Sequence, residues 1–189
     1  LGFLAVTAIP KFLDLTDQAK QANIEGMAGG FATGVSLTRA QWEAEGRVKD
    51  SDINFTNYDG SALFLTTPTN NNDPDIRPGY PMGLSITTSN STSGNMDTTR
   101  CMDVWNNILA QPPSISATAA DLNNGANVDY FVVQSVNSGS NGNNTCIFYL
   151  IASLGKTNGS IDTPTSTAQG NNFTYDPASS TVAITINNN

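Results

Sequence analysis

Histidine is absent from this chain, and charge of either sign is scarce, at 13% of the residues. Without histidine there is no Ser/His/Asp or Cys/His nucleophile system and no imidazole ligand for a metal. Glutamate is missing beyond Glu45, so a glycosidase pair would need two aspartates, and no aspartate spacing indicates one. No glycine-rich phosphate loop follows a predicted strand. The sequence therefore predicts neither an enzyme nor a cofactor.

Basic residues are few: lysine and arginine number 8 against 16 acidic residues, and the formal net charge is −8. Most of the basic residues lie between Lys11 and Lys49, with acidic residues among them. A nucleic-acid-binding domain needs a basic stripe along one surface. We therefore expect no nucleic-acid partner.

Cysteine occurs twice, as Cys101 and Cys146. A zinc site would need further cysteine or histidine ligands close by, and the chain has none. In an exported protein two distant cysteines favour a disulfide. The alternative is a pair of buried free thiols.

Two segments rich in Asp and Asn carry the oxygen ligands that Ca²⁺ prefers. The first candidate set alternates around Gly125 and consists of Asp121, Asn123, Asn127 and Asp129. It departs from an EF-hand loop at Gly125 and at Val132, which stands where the bidentate Glu belongs. The second candidate set is Asn71, Asn72, Asp73 and Asp75. A turn stabilised by its own Asx side chains is the alternative for both, and we predict no metal site.

The N-terminal part of the chain, residues 1–46, is predicted to form one long helix. Residues 1–10 are apolar apart from Gly2 and Thr7, so this end has no polar face. From Lys11 onward, apolar residues recur at steps of mostly three and four and charged residues take the other face. The stripe comprises Phe12, Leu15, Ala19, Ala22, Ile24, Met27, Phe31, Val35, Thr38 and Trp42. We predict that residues 1–10 belong in apolar surroundings outside the domain and that the amphipathic residues 11–46 cover the core.

The apolar end is short, since ten residues of helix cover only about 15 Å, half of a bilayer core. We expect roughly ten or more apolar residues upstream, enough to complete a membrane-spanning segment. A secretory signal cleaved near residues 5–8 is the alternative. The helical period continues past that point, which argues against cleavage there.

The remaining residues, 47–189, are predicted to form one globular head. Residues 47–59 and 155–171 are polar and predicted as loops, and the proline-rich residues 68–81 as a surface loop. Strands are predicted at 61–67, 82–88, 128–136, 145–153, 173–175 and 181–186, with a helical turn near 117–122. A second helix is predicted from Asp97 to Leu109, ended by the prolines at 112 and 113. Short connections between strands predict an antiparallel sheet and an α+β fold.

The first twelve residues resemble the second half of the N-terminal segment of type IV pilins. In that family a Gly is followed eight positions later by a Pro and then by an aromatic residue, places taken here by Gly2, Pro10 and Phe12. The resemblance implies an upstream N-methylated Phe and a Glu. Within the type IVa class, residues 101–113 and the C-terminal residues 173–177 with Val182 and Ile184 resemble the mannose-sensitive haemagglutinin (MSHA) pilins.

The resemblance implies the type IV pilin fold, a long N-terminal helix packed on a C-terminal antiparallel sheet. It implies the major pilin of an extracellular filament of identical subunits, which serves adhesion and twitching motility. Before assembly the subunit would sit in the inner membrane and meet the pilus assembly machinery. The implied filament-core residues are Leu1, Gly2, Phe3, Leu4, Val6, Ile9, Pro10 and Phe12. The resemblance also supports a disulfide, and it implies loss of helix over residues 4–9 in the filament.

Two other functions stay open at this point. A pseudopilin of a type II secretion system has the same N-terminal helix but forms short periplasmic assemblies. A membrane-tethered glycan-binding domain would stay monomeric in detergent and have a pocket lined by aromatic side chains and carboxylates.

Overall fold

A computed structural model describes residues 5–68, 76–84 and 96–187, except the side chains of residues 5–14 and of Asn141. The helices there are α1 (Ala5–Ala44) and α2 (Thr98–Ile108). The strands are β1 (Lys49–Asp50), β2 (Ile53–Tyr58), β3 (Ser61–Leu65), β4 (Pro81–Gly83), β5 (Ile115–Ser116), β6 (Tyr130–Ser135), β7 (Thr145–Leu150), β8 (Lys156–Thr157), β9 (Ser160–Ile161), β10 (Asn172–Asp176) and β11 (Thr181–Thr185). The predicted α+β fold, with a long N-terminal helix, a short second helix and antiparallel sheets, is confirmed.

Among the described side chains of helix α1, residues 15–44, the apolar stripe is buried from Ile24 onward. Ile24, Phe31, Val35 and Trp42 are at most 2% exposed, whereas Leu15 is 56% exposed. The helix ends in a Schellman motif, in which the N–H of Arg47 donates to the carbonyl of Trp42. Gly46 takes the left-handed conformation that this ending requires, with φ of 82°.

Helix α2 forms where the sequence predicts it. Asp97 caps its first turn by accepting a hydrogen bond from the N–H of Arg100 at 2.9 Å. Its buried face consists of Cys101, Val104, Trp105 and Ile108, which are spaced for one side of a helix. This face packs into the same core as the stripe of α1.

The strands form two main sheets and a separate hairpin. The four-stranded sheet has the order β1-β2-β3-β4, and the five-stranded sheet has the order β11-β10-β7-β6-β5. Strands β8 and β9 form the hairpin. Because side chains alternate along a strand, the inner face of the five-stranded sheet carries Tyr130, Val132, Phe148, Phe173 and Tyr175 into the core with α1. Its outer face carries Phe131, Ile147 and Tyr149 into a second cluster with Leu122 and Leu154.

Four sequence predictions are wrong or incomplete. Residues 47–59 were predicted as a loop but contain β1 and β2, and Asp59-Gly60 is the two-residue turn between β2 and β3. The predicted loop at 155–171 contains the β8–β9 hairpin. The sheet is not wholly antiparallel, because β5 pairs parallel with β6. In the proline-rich segment, where residues 69–75 lie outside the described part, Ile76 and Tyr80 are buried rather than on the surface.

Candidate functional site

The second half of α1 is fixed to the head by an aromatic cluster. The ring of Phe31 lies 5.1 Å from that of Phe148, 5.3 Å from Phe173 and 5.2 Å from Tyr175, measured between centroids. Trp105 of α2 stacks on Phe148 at 5.1 Å. Such ring pairs each contribute about 0.5–1.5 kcal/mol beyond the area that they bury. This part of α1 is therefore an integral layer of the head.

Two polar contacts hold the same half of the helix to the sheets. The hydroxyl of Tyr130 donates to the side-chain oxygen of Asn23 at 2.5 Å, and burial raises the pKa of Tyr130 above its ordinary value. Arg39 donates to the hydroxyl of Tyr80, and its guanidinium also lies 4.8 Å from the centre of that ring. The partners are 107 and 41 positions apart in sequence, and no local pattern indicated either contact.

The pKa of Tyr80 reflects opposing influences. Burial disfavours the phenolate, but hydrogen bonds from Ser180 and Arg39 outweigh burial and bring the pKa below its ordinary value.

On the exposed side of the helix, the hydrogen bond from Arg47 lowers the pKa of Glu43. Arg47 and Glu43 lie 2.7 Å apart, one helical turn from each other. Exposed pairs of this kind contribute little to stability.

Another part of the exposed surface of α1, from Gly26 to Leu37, is smooth and partly apolar. A Cβ atom on Gly26, Gly29 or Gly30 would meet nothing within 4 Å. On this side Leu37 is 51% exposed. Gly34 differs, because a Cβ there would collide with the backbone of α2. Each of these four glycines costs a helix about 1 kcal/mol relative to alanine, and it is either merely tolerated or needed for close approach by another element. Within the described part of this single chain, only Gly34 makes a close approach.

The predicted filament-core residues lie at the start of the chain. The first four of them lie outside the described residues: Leu1, Gly2, Phe3 and Leu4. Of residues 4–9, which are predicted to lose helix in the filament, residue 4 lies outside the described part and residues 5–9 are helical in this single chain. Val6, Ile9, Pro10 and Phe12 belong to the helical backbone of α1, which begins at Ala5. Among the described residues, no helix combines the length and the apolar content needed to cross a membrane.

The disulfide expected between the two cysteines is present. Cys101 on α2 is bonded to Cys146 on β7, their Cα atoms are 5.7 Å apart, and both residues are fully buried. The bond joins the second helix to the centre of the five-stranded sheet, next to the rings that hold α1. It therefore ties α2 to the sheet on which α1 packs.

Side chains of the first calcium candidate set form hydrogen bonds with other residues of the protein. The Asp121 carboxylate accepts hydrogen bonds from Ser116 and Asn124, and these lower its pKa. Asn123 bonds the backbone of Ile161. In the described ranges no three acidic or sulfur side chains lie close enough to share a metal ion. Asn127 and Asp129 are exposed on the same loop, and the second set, at 71–75, lies outside the described residues.

Comparison with known proteins gives one point of reference. The chain is similar to the type IV narrow pilus major component PilA5 of Thermus thermophilus, with 33% identity over 73 residues. The match covers 39% of this chain and 60% of that relative, so the chain spans somewhat less than two thirds of its length. No family model matches the chain, and no solved structure matches it at a significant level. The similarity supports a relationship to type IV pilins, but it does not support the MSHA-like class in particular.

Proposed function

We propose that this chain is a subunit of an extracellular type IV pilus and polymerises through its N-terminal helix. The proposal rests on the difference between the buried second part of α1 and its exposed first part. The helix is buried in its own head from Ile24 to Trp42, whereas Leu15 is exposed and residues 1–10 are apolar apart from Gly2 and Thr7. The similarity to a component of a type IV pilus supports the same conclusion.

The physical reason for polymerisation is the surface that the head leaves uncovered. Helix α1 has 40 residues, which corresponds to about 60 Å, and the buried stretch from Ile24 to Trp42 accounts for roughly half of that length. Burying a leucine or isoleucine side chain contributes about 1.5–3 kcal/mol. The apolar first part of the helix is therefore strongly favoured to leave water, and copies of the same helix offer a matching apolar surface.

The same proposal includes a more specific role for the chain. The chain is the major pilin of an MSHA-like filament that mediates adhesion to surfaces and twitching motility. It resides in the inner membrane before the pilus assembly machinery extracts it. In the filament, residues 4–9 lose helical structure between Gly2 and Pro10, because both residues weaken the backbone hydrogen bonds of a helix.

Charge substitutions test the role of the helix. Leu15→Asp places a carboxylate on the apolar stripe of α1 where the head leaves it exposed, and the expected result is loss of fibres from sheared cells with an unchanged melting temperature. Val136→Asp is the matched control, since Val136 is 63% exposed at the end of β6. Normal fibres from Leu15→Asp, or equal loss from both variants, would contradict the proposal.

Fibre length separates a pilus from a pseudopilus. A pilin is recovered in long fibres after shearing of the cell surface, whereas a pseudopilin of a secretion system stays in short periplasmic assemblies. Recovery of the wild-type chain only from the periplasm would favour the pseudopilin.

A further inference from the structure

Two guanidinium groups and two hydroxyl groups meet where the last turns of α1, the segment before β4 and the turn between β10 and β11 come together. They belong to Arg39, Arg77, Tyr80 and Ser180. We call these four side chains the arginine corner. They come from three separate parts of the chain, so only the tertiary structure brings them together.

The four side chains are joined by one chain of hydrogen bonds. Arg77 donates to the Ser180 hydroxyl at 3.3 Å. That hydroxyl donates to the hydroxyl of Tyr80, which also accepts from Arg39. Both acceptor positions of the Tyr80 oxygen are therefore filled, and no described residue accepts its own O–H. This O–H remains available to a ligand.

The backbone around Arg77 holds the arginine corner in place. The N–H of Arg77 donates to the carbonyl of Ala178 at 2.7 Å, and the carbonyl of Arg77 accepts from the Thr66 hydroxyl at 2.5 Å. Tyr80 is buried, and the guanidinium of Arg39 lies 4.8 Å from the centre of its ring. The fold thus positions these donors before a ligand arrives, which lowers the entropic cost of binding.

Positive charge exceeds negative charge at this place, in a chain whose formal net charge is −8. The carboxylate of Glu43 lies 3.4 Å from Arg39 but only 2.7 Å from Arg47. Within the described part of the chain, Arg77 forms no ion pair. The three guanidinium groups therefore share ion pairs with one carboxylate. Because each guanidinium has five N–H donors, Arg39 and Arg77 keep donors for a ligand.

The chemistry of these donors selects the ligand. Guanidinium N–H groups and a phenol O–H all donate, and two of the three side chains carry positive charge, so the ligand is an anion with several acceptor oxygens. A cation or a metal ion is excluded by the same charge. Donors on three side chains suit the three or four oxygens of a phosphate or sulfate group better than the two oxygens of a carboxylate.

We propose that the arginine corner binds one phosphate or sulfate group, with Arg39, Arg77 and the Tyr80 hydroxyl as donors. The group is either a free ion or an ester on a larger molecule, because the donors recognise only its oxygens. Binding of one group is weak, on the order of millimolar, because Arg77 is exposed to solvent and to salt. The inference concerns the head alone and does not rest on polymerisation.

The test is an NMR titration of the purified full chain in an uncharged detergent at constant ionic strength. The probes are inorganic phosphate, inorganic sulfate and methyl phosphate, with acetate and chloride as comparison anions. The expected result is saturable shifts at Arg77, Tyr80 and Ser180 with phosphate and sulfate, and weaker binding of acetate. Equal binding of methyl phosphate would identify esters as ligands, whereas binding of the inorganic ions alone would identify a site for the free ion.

Matched variants locate the site. Arg77→Gln is expected to weaken phosphate binding about tenfold, because it removes a charged donor. Lys49→Gln removes the same charge from an exposed position on β1, outside the corner, and is expected to leave binding unchanged. Ser180→Gly is a second variant that should also weaken binding. It removes the hydroxyl without strain, because Ser180 has a φ of 63°, which glycine adopts readily.

Three outcomes would overturn the inference: no saturable shift with phosphate or sulfate, chloride binding as tight as phosphate binding, or equal effects of Arg77→Gln and Lys49→Gln. Melting temperatures of all variants show whether any loss of binding reflects unfolding, and Ser180→Gly decides the matter if Arg77→Gln fails to fold. The assay does not require fibres. Its failure therefore leaves the proposed pilus function intact, and failure of fibre assembly leaves this inference intact.

Discussion

A Cβ atom on Gly34 would lie 2.6 Å from the backbone oxygen of Ile108. Ile108 is the last residue of α2, so α1 and α2 meet here with the backbone of one helix against the other. A backbone oxygen cannot move without moving its helix, and α2 is fixed to β7 through Cys101. Gly34 therefore determines how closely the second helix lies on the first.

Gly34→Ala is predicted to destabilise the head by about 1–3 kcal/mol, because the added methyl group overpacks this crossing. Gly30→Ala, one turn earlier and open to 4 Å, is predicted to stabilise the helix by about 1 kcal/mol. Urea denaturation of both variants measures the difference. If both substitutions changed the free energy of unfolding in the same direction, the two helices would not be in tight contact at Gly34.

Loss of the Cys101–Cys146 disulfide is predicted to lower the free energy of unfolding by about 4 kcal/mol, because the bond closes a loop with a sequence separation of 45. Denaturation of wild type with and without reductant, beside a Cys101→Ser, Cys146→Ser double variant, measures the effect. Reductant should affect only the wild type. A double variant as stable as the oxidised wild type would refute the prediction.

Two fully buried tyrosines on neighbouring strands are predicted to respond oppositely to loss of their hydroxyl groups. The Tyr175 hydroxyl donates to the backbone oxygen of Pro81 at 3.0 Å, so Tyr175→Phe should lose about 1 kcal/mol of stability. The Tyr149 hydroxyl has no partner among the described residues, so Tyr149→Phe should be neutral or stabilising at pH 7. Chemical denaturation of both variants decides the point, and a clear loss in Tyr149→Phe would contradict it.

Alkaline pH is predicted to unfold the head through the same side chain. Burial raises the pKa of Tyr149 to about 12, above the value of about 10 in the unfolded chain. Its contribution to stability is fully present below pH 10 and is lost as pH rises from about 10 to 12, because the unfolded chain then releases the proton first. Melting temperatures across this range should fall less steeply in Tyr149→Phe. If the melting temperatures of the wild type and Tyr149→Phe fell equally steeply with pH, the effect could not be assigned to Tyr149.

Elements with a strong local signal could be predicted from the sequence. Helix α2 was found because Asp97 can cap it and because its apolar residues recur at helical spacing. The hairpin strands of the last third were found because hydrophobic runs alternate with polar turns.

Strand β2 was missed for a physical reason. Its buried residues include Asn54 and Thr56, so its pattern of hydropathy does not alternate as that of a half-buried strand does. Asn54 is tolerated in the interior because its side chain donates to the backbone of Thr66 at 2.8 Å and its N–H donates to Thr67. These two hydrogen bonds depend on tertiary structure, so the local sequence does not indicate them.

The row of hydroxyl side chains on the outer face of the five-stranded sheet was beyond sequence reasoning for a similar reason. Ser135, Thr145 and Thr181 come from three different strands, and only the register of those strands brings them into one row. The scarcity of charge and the abundance of serine and threonine in the second half of the chain predict strands and turns. They do not indicate which hydroxyl groups meet.

The most direct test of this account is a cryo-electron microscopy reconstruction of fibres sheared from cells that express the chain. We predict a helical polymer in which the first parts of the α1 helices pack against one another at the centre and the sheets face solvent. Particles without fibres, or a polymer held by contacts between heads with Leu15 exposed to water, would contradict the account.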